Sequence, residues 1–186
     1  PYDPKKAREL LKEAGYANGF ESVLWGAYTT TSTQKTLQFV QQQLAQVGIK
    51  ITVLALEPGQ RTEWVQSAPD PKTAKVRMYY AGWSASTGEA DWALRPLLAT
   101  ESWPPKLNNT AYYSNAKVDA DIASALKSVD EAEKTKLYTD AQEQIMKDAP
   151  WAPLVTEKSL YATNKRLSGV YTRPDGSIYS EDIEIK

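Results

Sequence analysis

The chain of 186 residues contains no cysteine and no histidine. Without cysteine it cannot form disulfides, thiolate metal sites or a thiol nucleophile. Without histidine it lacks the base of a serine–histidine triad. Much of the side-chain chemistry that enzymes use is therefore absent, and the composition favours ligand capture over catalysis. We expect no catalytic residue, no metal site and no cofactor.

Two further absences concern charge and hydrophobic runs. Lysine and arginine number 22 against 23 aspartates and glutamates, and no basic stripe stands out, which argues against nucleic acid as a partner. No apolar run approaches the ~20 residues that a membrane-spanning helix needs. The chain begins at Pro1 without methionine or a signal peptide, so we expect an excised piece or a processed product.

Aromatic residues are plentiful but uneven, with six Trp and eleven Tyr against two Phe. Such amphipathic rings suit clefts that are half buried and half wet. Residues 79–92 are the most informative segment, because a β-prone run breaks at Gly82-Trp83 into small polar residues, two acids and a second Trp. A strand that ends in this way supplies an aromatic face, free backbone groups and hydroxyls, as sites for small polar ligands require.

The first half of the chain predicts alternating helices and strands. Asp3 and Pro4 open a helix that Gly15 closes. Apolar patterns then predict strands at residues 21–27, 49–56 and 76–81, with helices at residues 33–47 and 58–66. A strand, a helix and a strand in succession form a βαβ unit, whose strands are parallel. The fold class is therefore α/β.

The second half predicts helices followed by less regular strands. A short helix at residues 93–98 precedes two longer ones, capped by Ser114 or Asn115 and by Asp130 with Glu133, the last ending at Pro150. Residues 151–156 predict a strand, and residues 170–185 predict strand segments around the turn Arg173-Pro174-Asp175-Gly176. The first of the two longer helices carries the apolar residues Val118, Ile122, Ala125 and Leu126. The residues predicted to point inward from the second are Leu137, Tyr138, Ala141 and Ile145.

Two segments follow the ends of the predicted parallel strands, which is where ligands bind in such sheets. The first is a threonine-rich loop before a helix, whose backbone N–H groups and dipole favour an anion such as a carboxylate. Thr31 and Ser32 add hydroxyl donors there, although a loop with an ordinary N-cap explains the same residues. The second segment supplies Gly82, which permits close backbone approach, and Trp83, which offers a ring for stacking.

Two acids, Glu89 and Asp91, follow the Gly-Trp pair. They would either hold an ammonium group or merely begin the helix near Trp92. A hydrolase could use them as an acid–base pair, because residues two apart share a face within a strand. Within a helix they diverge, and catalysis is the less favoured alternative.

Several of these motifs resemble one known family. The opening helix, from Tyr2-Asp3-Pro4 to Ala14-Gly15-Tyr16, resembles the start of the C-terminal lobe in the peptide-binding, family 5 extracytoplasmic solute-binding proteins of ABC transporters. Residues 43–51 and Gly82-Trp83-Ser84 resemble that family as well. The similarity to its glutathione-binding type covers nearly the whole chain, and the stretches that carry it most clearly are Leu37-Gln38-Phe39, residues 41–50, Val76-Arg77-Met78 and residues 82–94.

The resemblance implies a lobe of the type II periplasmic-binding-protein fold: a mixed sheet flanked by helices, with C-terminal strands that return to another lobe. Residues 1–150 would form the C-terminal ligand-binding lobe, and residues 151–186 the tail that packs with an N-terminal lobe outside this chain. The implied function is capture of glutathione or a related small peptide between the two lobes and its delivery to ABC permease subunits. The implied location is periplasmic or extracytoplasmic, as a lipoprotein in Gram-positive bacteria.

The resemblance also implies roles for individual residues. The backbone of Gly82-Trp83-Ser84 would donate hydrogen bonds to the peptide. Ser86 stands where related proteins have an Asp that anchors the peptide α-ammonium, and the Arg that grips a dipeptide carboxylate falls near Gln34 or Lys35. Both departures weaken a dipeptide interpretation, because Ser cannot neutralise an ammonium group. They fit a γ-linked tripeptide, whose amine sits elsewhere.

Other ligands remain open within the same family: a dipeptide or oligopeptide, a carbohydrate, or a nickel chelate. Nickel is the weaker choice in a chain without His or Cys. A structural module without a ligand, and the hydrolase with Glu89 and Asp91, are alternatives from other classes. Calorimetry of the complete two-lobed protein against glutathione, dipeptides and oligosaccharides would separate these alternatives.

Overall fold

The computed structural model describes residues 2–27, 30–156, 158, 160–173 and 175–186. The chain divides into two compact units, Pro1–Gly82 and Trp83–Lys186, which we call the first and the second unit. The predicted boundary at residue 150 concerns a different division, between a lobe and a returning tail, and stays a prediction.

The first unit is a small parallel sheet with helices between its strands. Its elements are α1 (Pro4–Glu13), β1 (Phe20–Gly26), α2 (Thr31–Ala45), β2 (Ile49–Ala55), α3 (Pro58–Arg61) with a π-helical turn directly after it (Thr62–Gln66), and β3 (Met78–Tyr80). The strand order is β2–β1–β3, and both neighbouring pairs are parallel. β1 pairs with β2 along its whole length but with β3 only from Leu24 to Gly26. The predicted βαβ unit and third parallel strand are confirmed.

Local capping explains why α1 forms where the sequence predicts it. The carboxylate of Asp3 accepts a hydrogen bond from the backbone N–H of Lys6 at 2.9 Å, and Pro4 occupies the first turn, where its missing N–H removes no hydrogen bond. Gly15 then adopts the predicted left-handed conformation, with φ of 86°. None of the α1 residues is buried, however, and Leu10 is 51% exposed.

The core of the first unit lies between α2 and one face of the sheet. Leu24, Leu37 and Ile51 are its buried residues. α2 begins at Thr31, two residues before the predicted start, because the side chain of Thr30 caps it. The strands β1 and β2 meet the predicted ranges to within one residue, whereas β3 is half as long as predicted.

The second unit consists of three helices followed by short antiparallel strands. Its elements are α4 (Ala90–Leu98), a 3₁₀ turn (Thr100–Ser102), α5 (Ala116–Lys127), α6 (Glu131–Asp148), β4 (Leu167–Ser168), β5 (Tyr171–Thr172), β6 (Ile178–Tyr179) and β7 (Glu184–Ile185). The side chains of Asn115 and Asp130 cap α5 and α6, as predicted. No helix in the described part of either unit is both long and apolar enough to span a membrane.

A well-packed core joins α4, α5 and α6. Its buried residues are Leu97, Leu98, Val118, Ile122, Ala141 and Ile145. Of the apolar residues that α5 carries, Leu126 is 56% exposed, because the neighbouring Ala125 faces the core and successive helical residues point in different directions. The predicted start of α4 at residue 93 is also too late, since the helix begins at Ala90.

The end of the chain forms two small strand pairs. β5 pairs with β6 across the predicted turn, with Tyr171 and Tyr179 stacked at 4.7 Å between ring centroids, and β4 pairs with β7. Pro174 of the turn lies outside the described residues. The predicted strand at residues 151–156 is wrong: all six residues are exposed and form no ladder in the described chain. A strand requires a neighbour for its backbone groups, and this segment has none within the described residues.

Candidate functional site

The predicted site residues are divided between the two units. Gly82 and the four predicted residues of α2 belong to the first unit, and the other predicted residues belong to the second. In the first unit, all three strands end at one edge of the sheet. Hydrogen bonds of 3.0 Å extend the pairing past the strand ends there, from Ala27 N to Tyr80 O and from Leu56 N to Gly26 O. Ligands of open parallel sheets bind beyond this carboxyl edge.

The start of α2 lies just after β1 at this edge. Thr30 accepts a hydrogen bond from the backbone N–H of Thr33 at 3.2 Å, and the two hydroxyls lie 3.0 Å apart. Thr33 is buried, so its hydroxyl serves the cap. The four predicted ligand-binding residues of this helix, by contrast, are all exposed: Thr31, Ser32, Gln34 and Lys35. Residues 28 and 29 of the predicted threonine-rich loop lie outside the described residues.

Gly82 follows β3 and is exposed. No heavy atom of the described chain lies within 4 Å of the point that a Cβ atom would occupy, and its φ is outside the range that favours glycine. Neither packing nor backbone conformation in this chain therefore requires glycine here. The open space beside the backbone is what close approach of a ligand needs.

Trp83 lies at the surface of the second unit, with 41% of its area exposed. Its indole N–H donates to the carbonyl oxygen of Trp92 at 2.8 Å, and the two ring centroids lie 6.1 Å apart at an interplanar angle of 42°. The first turn of α4 therefore holds one edge of the Trp83 ring while part of the ring surface stays accessible. An aromatic ring held in this way can stack against a ligand at little entropic cost.

Ser84 and Ser86 continue the polar segment after Trp83. Both are exposed, and the hydroxyl of Ser84 donates to the carbonyl oxygen of Asp175 over 3.5 Å, at the turn between β5 and β6. The backbone then turns at Gly88, whose N–H donates to Ala85 O at 2.9 Å. This turn delivers the chain to the start of α4.

The two predicted acids have different environments. Glu89 is exposed at the N-cap position of α4. Asp91 is buried in the first turn, and its two oxygens accept three hydrogen bonds from the guanidinium of Arg95, at 2.8 to 3.1 Å. The hydrogen bond to Asp91 raises the pKa of Arg95 above its ordinary value. Asp91 is already paired with the guanidinium of Arg95. The geometry therefore favours the interpretation that Asp91 begins the helix, over binding of an ammonium group or acid–base catalysis.

A shallow groove of about 430 Å³ runs beside these acids between α4, α5 and α6. Burial is the main cause that raises the pKa of Tyr138, and the negative charge of Asp91 adds to it. The groove is lined by Thr87, Glu89, Asp91, Trp92, Arg95, Ala125, Leu126, Lys134 and Tyr138. The described residues contain no group of three or more acids that could hold a metal ion.

Sequence reasoning missed two residues that shape this region. Arg95 is four residues after Asp91, a spacing at which opposite charges meet on a helix, so the pair could have been found once the helix start was placed correctly. Trp92 supports Trp83 through its backbone carbonyl, which carries no signal in the sequence.

A lobe whose parallel sheet ends in an open, polar edge is typical of proteins that bind solutes. Residues 1–105, more than half of the chain, match the family described as "Bacterial extracellular solute-binding proteins, family 5 Middle". The chain belongs to this family. The prediction of the family from the sequence is confirmed.

The relatives extend this similarity to the whole chain. The glutathione-binding protein GsiB of Pectobacterium atrosepticum is 56% identical over 185 residues, which cover 100% of this chain and 36% of the relative. The chain thus spans about a third of the length of the curated relatives that it matches.

Two solved structures have the same fold. The periplasmic binding protein DppA from Helicobacter pylori, in complex with peptide STSA, is 34% identical with a TM-score of 0.69, covering 82% of this chain and 28% of that one. The dipeptide binding protein from Pseudoalteromonas sp. SM9913, in complex with Met-Leu, has a TM-score of 0.84 at 24% identity and covers 100% of this chain and 36% of that one. The predicted fold class is confirmed.

Proposed function

We propose that this chain is part of the substrate-binding component of an ABC importer that captures glutathione or a related small peptide. The observation that carries the proposal is the 56% identity, along the entire chain, to a protein named for glutathione binding. The exposed residues at the carboxyl edge of the first unit and the half-exposed Trp83 support a binding role, because they offer polar groups and an aromatic face. We propose no catalytic residue.

The mechanism is capture between two lobes. The ligand makes contacts with both lobes only when they are closed, so it shifts the population towards the closed form. That form is then recognised by the permease subunits of the importer. A protein of an extracellular solute-binding family works outside the cytoplasm, and we propose the periplasm, or a lipid-anchored position in a Gram-positive organism, for the complete protein.

Within this proposal, five predicted residues contact the ligand most directly. The backbone of Gly82-Trp83-Ser84 would donate hydrogen bonds, and the exposed start of α2 would approach a carboxylate. Ser86, exposed and uncharged, leaves the α-ammonium of an ordinary dipeptide without a counter-charge. This favours a γ-linked tripeptide over a dipeptide. Ser32 and Lys35 are the side chains at the start of α2 that we propose to face the ligand.

Isothermal titration calorimetry of the complete protein tests the proposal. We expect binding of glutathione at micromolar or tighter affinity, and weaker binding of dipeptides and of the α-linked isomer of the same tripeptide. An oligosaccharide panel serves as the control for the carbohydrate alternative. Tighter binding of dipeptides or longer α-linked peptides than of glutathione would favour the second candidate, a dipeptide or oligopeptide transporter. The similarity to the Helicobacter pylori protein in complex with peptide STSA supports this peptide-binding candidate. Capture of a peptide would be contradicted if none of these ligands gave a binding signal in the titration, or if the protein chemically converted any of them.

A further inference from the structure

Arg61 is the last residue of α3 and directly precedes the π-helical turn. The two elements form one continuous helical segment, Pro58–Gln66, in which the backbone N–H of Arg61 donates to Glu57 O at 2.9 Å. The backbone of Arg61 is therefore satisfied, and the environment of its side chain is what needs explanation.

The guanidinium of Arg61 also has no counter-charge within the described residues. Its Nε atom is buried without a hydrogen-bond partner, and Arg61 takes part in none of the ion pairs of the described chain. The acids next to it in sequence are engaged elsewhere. Glu57 forms a capping box with Gln60, and Glu63 pairs with Lys75 at 3.3 Å. A buried polar atom of a charged group costs stability when it is unpaired.

The backbone beyond Arg61 is irregular as well. Thr62–Gln66 is a π-helical turn, in which the hydroxyl of Thr62 donates to Pro58 O at 3.3 Å and that of Ser67 donates to Thr62 O at 2.8 Å. Single π-helical turns are rare, and they are frequent at functional sites. Two departures from local preference therefore coincide: a buried Nε without a partner among the described residues, and a π-helical turn directly after it. Proteins concentrate such departures where a function needs them.

The position of Arg61 in the fold suggests which function that is. α3 begins three residues after β2 ends, at the same carboxyl edge of the sheet where α2 starts and where Gly82 follows β3. The hydrogen bond from Leu56 N to Gly26 O ties the end of β2 to the end of β1 at this edge. Arg61 is thus within one helical turn of the edge where parallel sheets bind ligands.

We infer that Arg61 binds a carboxylate of the captured peptide. The inference rests on the proposed function, and it names the chemical group of the ligand that this part of the site recognises. The planar guanidinium presents paired N–H donors that match a carboxylate bidentately, which lysine cannot do. Glutathione carries two carboxylates and so offers the anion that the described chain does not supply.

Calorimetry with matched ligands and variants of the complete protein tests this inference. The ligands are glutathione and two analogues, each with one of the two carboxylates converted to an amide. For Arg61→Gln we expect a loss of about 30-fold or more in glutathione affinity, as for truncation of one partner of a buried charge pair. With the analogue that lacks the contacted carboxylate, the same substitution should change the affinity less than about threefold, because the interaction is already absent.

Two further variants complete the design. Arg61→Lys keeps the charge but loses the paired N–H donors of the guanidinium, so we expect its glutathione affinity to lie between those of the unaltered protein and Arg61→Gln. It also replaces the glutamine variant in the test if that variant fails to fold. Arg8→Gln removes the same charge from α1, where the side chain donates to Gln46 O, and should leave the affinity unchanged.

The outcomes separate the inference from the proposed function. Equal losses with glutathione and both amide analogues, or no loss with any of them, would overturn the role of Arg61 while the function stands. The proposed function and the role of Arg61 both stand if the unaltered protein binds glutathione and Arg61→Gln weakens the binding of glutathione and of one amide analogue but not of the other. If the unaltered protein binds no carboxylate-bearing peptide, the proposed function fails and the role of Arg61 fails with it.

Discussion

Each of the helices α4, α5 and α6 buries several of its apolar residues, whereas the helices around the parallel sheet leave most of theirs only partly buried or exposed. Val118, Ile122 and Ala141 are 0 to 1% exposed. α1 has no buried residue at all, and α2 buries only Thr33 and Leu37. The three-helix core is therefore closed within this chain, while the helices of the first unit are less completely buried.

The same contrast holds for charged and amide groups. In the second unit, Arg95 and Asp91 satisfy each other, and the buried amide of Asn109 donates to Ala99 O and Tyr113 O and accepts from Tyr113 N. In the first unit, the Nε of Arg61 is buried without a hydrogen-bond partner among the described residues. The hydroxyls of Ser102 and Ser168 also lack partners there, but a neutral hydroxyl is less costly to leave unpaired than a charged group. The second unit thus pairs the buried carboxylate of Asp91 within the chain, whereas the first unit leaves a buried atom of a charged group unpaired among the described residues.

The largest effect on stability should come from the three-helix core. Ile122→Ala removes a side chain that is 1% exposed and leaves a cavity, so we expect a loss of about 3 kcal/mol in the free energy of unfolding. Urea denaturation measures it. Leu126→Ala, four residues on along the same helix, is the control and should cost less than about 0.5 kcal/mol because that side chain is exposed. Similar losses for both would contradict the assigned core.

The next effect concerns the pair in the first turn of α4. Arg95→Met leaves the buried carboxylate of Asp91 without its counter-charge, so we expect a loss of about 2 kcal/mol in the free energy of unfolding. Lys136→Met, which breaks an exposed pair with Asp140, is the control and should cost less than about 0.5 kcal/mol. Equal effects would show that the Asp91 pair behaves as an ordinary surface pair.

Two tryptophans compare recognition with packing. Trp83→Ala in the complete protein should weaken glutathione binding about tenfold, which corresponds to ~1.4 kcal/mol, with little change in thermal stability. Trp64→Ala should lower the thermal stability and change the glutathione affinity little. The Trp64 ring packs edge-on against Trp25, with 5.6 Å between ring centroids, and lies 4.8 Å from the Nζ of Lys75. Calorimetry and thermal melts of both variants decide. Equal losses of affinity would remove the stacking role of Trp83.

The smallest effect depends on pH and belongs to the second unit. The hydrogen bond from Tyr113, followed by that from Asn115, lowers the pKa of Asp148 below its ordinary value. A carboxyl group with a lowered pKa stabilises the fold above its unfolded pKa and loses that contribution as the pH falls through the folded pKa. Asp148→Asn should therefore lower the melting temperature at pH 7, and the difference should shrink as the pH falls through the lowered pKa of Asp148. A difference that is constant with pH would contradict it.

The sequence predicted the parallel sheet well because its signals are local. Asp3, Pro4 and Gly15 mark the ends of α1 by their own chemistry. The run Val23-Leu24-Trp25 marks β1, and a β-branched run marks β2. The strand predicted at residues 151–156 failed because a strand depends on a partner, and no described neighbour pairs with it. Its apolar residues remain consistent with packing on a lobe outside this chain, which stays a prediction.

The candidate site was predicted less completely, for a physical reason. The Gly82-Trp83 break and the threonines before α2 are visible in the sequence, but the partners of charged groups are not. Asp91 looked available for an ammonium group until its contact with Arg95 placed it in the first turn of α4. Arg61 carries no signal in the sequence, and only the structure shows that its Nε is buried without a hydrogen-bond partner among the described residues.

Hydrogen exchange of the complete protein, with and without glutathione, tests the central contrast most directly. Bound ligand should slow exchange at the backbone amides of residues 30–33 and Gly82 in the first unit, and at those of Trp83 and Ser84 in the second unit. Amides within α5 and α6 should exchange at the same rate with and without ligand. Protection confined to α5 and α6, with none at the edge of the sheet, would contradict the assignment of recognition to that edge.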